Sequence, residues 1–190
     1  MQDEPLETVE QDGFTLKLYQ DTDPQSPEEY ENPENGAFIV TTKNRYFQTI
    51  PEGYDVQAIG DYLKTHKLYH NHEVFPLYAY IHSGVALSLG RLGQFADPWD
   101  SGQIGWALVR RDAVPKDKRY KAAEGVVETW NQYLSGDVYG YVIEEDGEHL
   151  DSCWGFYGRD YAMTEAKEAL AYQAEKRKKD DARLAEECAL

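Results

Sequence analysis

Residues 116–158, KDKRYKAAEGVVETWNQYLSGDVYGYVIEEDGEHLDSCWGFYG, decide the fold class. Across 116–134, Tyr120, Ala123, Val127, Trp130 and Leu134 recur at intervals of three and four, so they fall on one stripe of an amphipathic helix. Ser135-Gly136 then provides the glycine that commonly closes a helix. Beyond it, Asp137 to Glu144 and Glu148 to Tyr157 flank Asp146-Gly147, the dipeptide favoured in a tight hairpin turn. A helix followed by an antiparallel hairpin predicts an α+β fold: a single domain whose mostly antiparallel sheet is packed by this central helix.

Working upstream, QIGWALVRR (103–111) reads as another strand, and EVFPLYAYIHSGVALS (73–88) as two strands joined at His82-Ser83-Gly84. Pro76 lacks an N–H, which restricts the first of these to a sheet edge or to its own beginning. Val56, Ile59 and Leu63 repeat at helical spacing behind Asp55, an expected N-cap. AFIVTTKNRYF (37–47) predicts a strand with a hairpin around Lys43-Asn44, and FTLKLY (14–19) alternates as a first strand. Downstream, residues 161–190 contain good helix formers and no proline. Their apolar positions thin out after Tyr172, so this C-terminal helix should dock early and project late. The expected organisation is an acidic N-terminal segment with one short strand over 1–36, an α+β core over 37–160, and the C-terminal helix over 161–190.

The chain has 35 acids against 19 Lys and Arg, a formal net charge of -16. Direct nucleic-acid binding needs cations on phosphates, so the expected partner is a basic protein. Residues 1–36 hold eleven acids and a single cation, Lys17, which predicts a solvated anionic segment. Two cysteines are too few for a disulfide framework, the N-terminus lacks the cationic and apolar regions of a signal peptide, and no stretch approaches a membrane span. These features predict a cytoplasmic protein with no membrane contact.

WDSGQIG, ETWNQYLSGDVYGYVIE and DSCWGFYG, with a further likeness around LYAYIHSG, carry a resemblance to a family of uncharacterised proteins of phages, prophages and plasmids. It covers about residues 75–158. The resemblance implies a mobile-element context and brings no activity, cofactor or catalytic residue to these positions.

FADPWDSGQIGW (95–106) and the hairpin crowd tryptophan, glycine and acids together, a mixture that suits a specialised sheet core or a binding site. The candidate binding residues are Asp97, Trp99, Asp100, Asp137, Glu144, Glu145, Asp151 and Trp154. A catalytic alternative sets Cys153 as thiol nucleophile, His82 as base and Asp100 as orienting acid, in a hydrolase or transferase with an aromatic pocket. Against it, Cys153 reads as a mid-strand residue, where cysteine is usually a small buried hydrophobe. His66, His70 and His72 match no standard zinc spacing, and a polar connection has the same composition, so no metal is expected. Neither GVALSLGRLG nor SGQIG is a phosphate-binding or dinucleotide motif, so no cofactor is expected. The basic run Lys176 to Lys179 is answered by Asp180-Asp181 and reads as a solvated helix face. The sequence therefore predicts a non-enzymatic acidic binding protein, with mimicry of DNA to inhibit a host nucleic-acid-binding or defence protein as its natural form.

Overall fold

The computed structural model describes residues 4–30, 36–42, 47, 49, 55–90 and 99–188. In chain order the elements are β1 (Glu7–Gln11), β2 (Phe14–Gln20), the single turn α1 (Pro27–Tyr30), β3 (Ala37–Thr41), α2 (Val56–Thr65), α3 (Leu68–Asn71), β4 (His72–Ile81), β5 (Val85–Leu89), β6 (Ser101–Arg110), α4 (Arg119–Ser135), β7 (Val138–Glu145), β8 (Glu148–Tyr157) and α5 (Arg159–Cys188). The class is α+β with antiparallel pairing throughout, as expected. The strands form two four-stranded sheets, β1-β2-β7-β8 and β3-β6-β4-β5. Two compact units result, Met1–Pro24 with Gly136–Leu190, and Gln25–Ser135, the second inserted in sequence between β2 and β7. This grouping differs from the expected division at 36 and 160, because β2 pairs with β7 and α5 packs on the sheet they share.

In the first unit, both hairpins turn on Asp-Gly. Asp12 and Gly13 have φ of 53° and 86°, and Asp146 and Gly147 have 52° and 83°. Two successive positive φ values give the tight turn whose twist matches paired strands. The segment expected to be a solvated acidic tail thus contains an additional strand, β1, whose Val9 packs against the core of this unit. Alternation along β2 buries Phe14, Leu16 and Leu18 on one face, and Leu16 meets Tyr141 and Ile143 of β7 in the same core. Helix α5 closes that face with Ala162, Ala166, Leu170 and Ala174, one residue per turn, and the small alanines let the helix lie close to the sheet. Beyond Ala174 the helix is largely exposed, as its thinning apolar pattern predicts.

The second unit has three layers. On one face of its sheet, Ala123, Val127 and Trp130 of α4 pack against Ile39, Leu77, Leu87 and Val109, with Phe47 stacked on Trp130 at 5.0 Å. Ile59 and Leu63 of α2 cover Val40 and Leu108 on the other. Burial on both faces explains why β3 and β6 show weak alternation. Asp55 caps α2 as expected, its Oδ1 accepting from the Ala58 amide at 2.7 Å. Pro76 lies inside β4, which is an interior strand between β6 and β5, contrary to the edge placement expected for it. The exception is possible because β5 pairing ends at Leu77, so Pro76 has no ladder partner on that side beyond Gly90, whose amide donates to its carbonyl. The expected hairpin at Lys43-Asn44 falls outside the described residues, and among the described residues no helix is long and apolar enough to cross a membrane.

Candidate functional site

The alternation that buries Leu16 and Leu18 sends Lys17 and Tyr19 to the opposite face of the β1-β2-β7-β8 sheet. Cross-strand register sets Lys17 against Val142 and Tyr19 against Gly140. Helix α5 covers the other face, and among the described residues of the unit Lys17, Tyr19 and Val142 on this one are only partly covered. Gly140 leaves a gap in the row, and the indole of Trp154 from β8 lies over it; a Cβ at Gly140 would collide with the ring. A register shift between Tyr139 and Tyr141 lets β8 deliver that ring. The Tyr19 and Trp154 centroids are 6.1 Å apart with planes tilted by 30°, and Trp154 is 49% exposed.

These rings and Val142 line a groove of about 210 Å³, bordered by Asp21, Asp23 and Glu144. The segment that carries the two aspartates is anchored: the Asp21 amide donates to Val138 O at 2.8 Å, Gln20 Nε2 to Gly136 O at 2.8 Å, and the Asp23 amide to Asp21 Oδ1 at 3.1 Å. Lys17 Nζ donates to both Glu144 oxygens, at 2.8 and 2.7 Å, and this bond raises the Lys17 pKa above the usual ammonium value. Because Glu144 is neutralised in place, Asp21 and Asp23 set the charge of the groove. Aromatic walls beside uncompensated carboxylates suit a cation with an apolar stem, such as an arginine or lysine side chain.

Only part of the expected binding set gathers here. Glu144 and Trp154 line the groove. Glu145 instead pairs with Arg177 of α5 at 2.6 Å, Asp151 accepts from Gln173 of α5 at 3.3 Å, and Asp137 accepts from the hydroxyl of Tyr139, whose pKa is raised by burial first and by that bond. Trp99, 93% exposed, and Asp100 belong to the inserted unit, and Asp97 falls outside the described residues. Of the expected carboxylates in the first unit, Glu144 alone borders the groove. Tyr19, Asp21 and Asp23, absent from the expected set, also line the groove, and Gly140, likewise absent, seats the indole; strand alternation from Leu18 would have found Tyr19.

Of the catalytic alternative, the structure brings together His82 and Asp100. His82, in the turn between β4 and β5, has Nδ1 2.9 Å from Asp100 Oδ2, the contact a base and its orienting acid require. Both cysteines belong to the other unit. Cys153 is exposed, correcting the expectation of a buried thiol: β8 is an edge strand and most of its residues reach solvent. His66 and His72 each donate Nδ1–H to a backbone carbonyl, Tyr62 O and Leu68 O, and among the described residues no three His, Cys, Asp or Glu are placed to hold a metal ion.

Comparison of the chain with protein-family models, with characterised proteins and with solved structures finds no match.

Proposed function

We propose that this is a non-enzymatic acidic binding protein that holds a basic segment of a partner protein in the Trp154 groove. The single observation that carries the reading is the half-exposed Trp154 indole fixed over Gly140 beside Asp21 and Asp23. An aromatic ring held in one orientation contributes contact area without losing rotamer freedom on binding, and a cation over it gains about 0.5–2 kcal/mol. The net charge of -16 adds long-range attraction for a basic partner and speeds encounter. A mobile-element context, expected from the motifs within 75–158, would make a bacterial host the source of that partner, and nucleic-acid-binding and defence proteins have the basic surfaces required. Inhibition would follow from occupying such a surface. Since Glu145, Asp137 and Asp151 are held by neighbours within their own unit, recognition is proposed to run through the groove rather than through a phosphate-like row of acids.

The test is titration of a fluorescent arginine-rich decapeptide, followed by anisotropy at about 0.05 M and about 0.3 M salt, where screening lengths differ. Binding should weaken with salt and fall about tenfold in Trp154→Ala and in Asp21→Asn/Asp23→Asn. Equal binding by wild type and both variants would remove the groove from the proposal. The His82–Asp100 contact is the one observation behind a second reading, a small hydrolase or transferase; a covalent substrate adduct on Cys153 would be its test.

A further inference from the structure

The strongest local departure from the chain's acidity is RRDAVPKDKRYK, residues 110–121, with six cations and two acids inside a chain of net charge -16. The end of β6, a turn, the 3₁₀ segment Lys116–Lys118 and the start of α4 fold it around a pocket of about 450 Å³. Arg111, Lys116 and Arg119 line this pocket with Tyr69, His72 and Glu73. Its volume lies in the range typical of small-ligand sites.

The cations divide into two roles. Arg119, only 13% exposed, donates from Nε to Val114 O at 2.9 Å, from Nη2 to Arg111 O at 2.9 Å and from Nη1 to Glu73 Oε2 at 3.1 Å. It pins the 111–114 turn and neutralises the one carboxylate of the pocket. Arg110 turns away to Asp112, with Nε 2.9 Å and Nη2 2.6 Å from its carboxylate. Arg111 has Nε fixed on His72 O at 3.0 Å and its amide on Asn71 O at 2.8 Å. Among the described residues its terminal nitrogens and Lys116 Nζ have no acceptor. Among the described residues the other arginines, Arg110, Arg119, Arg159, Arg177 and Arg183, all have carboxylates. Two uncompensated cations, one of them a pre-oriented guanidinium, facing a pocket whose only acid is already paired, fit a dianion.

We infer that this pocket of the inserted unit binds a small phosphate-bearing ligand through Arg111 and Lys116, independently of the Trp154 groove. A polynucleotide is a poor occupant, because its phosphates beyond the pocket would meet the excess negative charge of the chain. Tyr69 gives the rim an aromatic face for an organic group attached to the phosphate. His72 supplies an internal reporter: burial first, with Arg110 and Arg111 contributing, holds its pKa below the ordinary imidazole value, and a bound phosphate would raise it.

The experiment is calorimetric titration of the full chain with pyrophosphate and with inorganic phosphate, against sodium chloride at matched ionic strength, with His72 followed by NMR. Pyrophosphate should bind. Arg111→Gln and Lys116→Gln should each weaken it about tenfold, while Arg183→Gln on the exposed end of α5 leaves it unchanged. The His72 titration should move up in wild type and not in the double variant, and both variants should melt with the wild type, since neither side chain is in the core. Equal binding by wild type and the double variant, an unmoved His72, or tighter binding of a duplex oligonucleotide than of pyrophosphate would each overturn the assignment.

Discussion

The indole of Trp154 occupies the space that a side chain at Gly140 would need. Gly140→Ala should therefore displace the ring from the groove while leaving the α5 side of the sheet intact. We expect a red shift of the Trp154 emission and a loss of peptide affinity comparable to that of Trp154→Ala. An unchanged spectrum and affinity would show that the ring has another seat.

Trp130 and Val127 lie at 1% and 5% exposure on the α4 face that meets the sheet. Placing an unpaired carboxylate there costs several kcal/mol, a large fraction of the stability of a small domain, so Val127→Asp or Trp130→Asp should cause aggregation or a severe fall in Tm. Tyr120, on the same stripe but half exposed with an edge contact to Phe75, is the contrast: Tyr120→Ala should cost about 1 kcal/mol or less. Thermal unfolding followed by circular dichroism separates the two.

Asp112 should titrate far below an ordinary aspartate. Its hydrogen bonds from Arg110 are the largest cause and hold its pKa at about 2. The folded value is depressed, so the contribution of this pair to stability is fully present above the unfolded value near 3.8 and is lost as pH falls through about 2. Carboxyl carbon NMR should show this, and Arg110→Gln should return Asp112 to the usual aspartate range.

Cys153 should react with a disulfide reagent in the native protein, because its side chain is exposed. In a Cys188→Ser background, stoichiometric labelling without denaturant is the expected result. Labelling only after unfolding would mean the thiol is covered. Cys153→Ala should preserve peptide binding, and loss of a covalent substrate adduct in that variant would instead favour the hydrolase or transferase reading.

Features that depend on neighbouring residues were legible in the chain. The Asp146-Gly147 turn, the Asp55 cap and the 120–134 stripe each rest on contacts within a few positions, where periodicity and capping chemistry act. Asp12-Gly13 is the same kind of signal as Asp146-Gly147, yet the acidity of residues 1–36 outweighed it, and β1 was hidden by composition. The split into two sheets depends on Phe14 meeting Glu145 across the whole inserted segment, and no local pattern encodes that register. The groove is illegible for a related reason: Tyr19, Gly140 and Trp154 come from three strands, and the irregular register beside Gly140 decides where the ring lands. The basic pocket left a readable trace in residues 110–121, but the overall charge masked it. Even there, only the structure separates Arg119 and Arg110, held by carboxylates, from Arg111 and Lys116.

The interruption of one sheet between β2 and β7 also sets an order of events at the ribosome. The hairpin of β1 and β2 emerges first with half of its sheet missing, and it waits with an unpaired edge while residues 25–135 are made. If those residues remained a loose coil, bringing β7 to β2 would mean closing a very long loop against chain entropy. A nascent inserted unit that has already condensed shortens the effective loop to the distance between its own two ends. Slow condensation of 25–135 would lengthen the time that the β1–β2 hairpin stands open to mispairing.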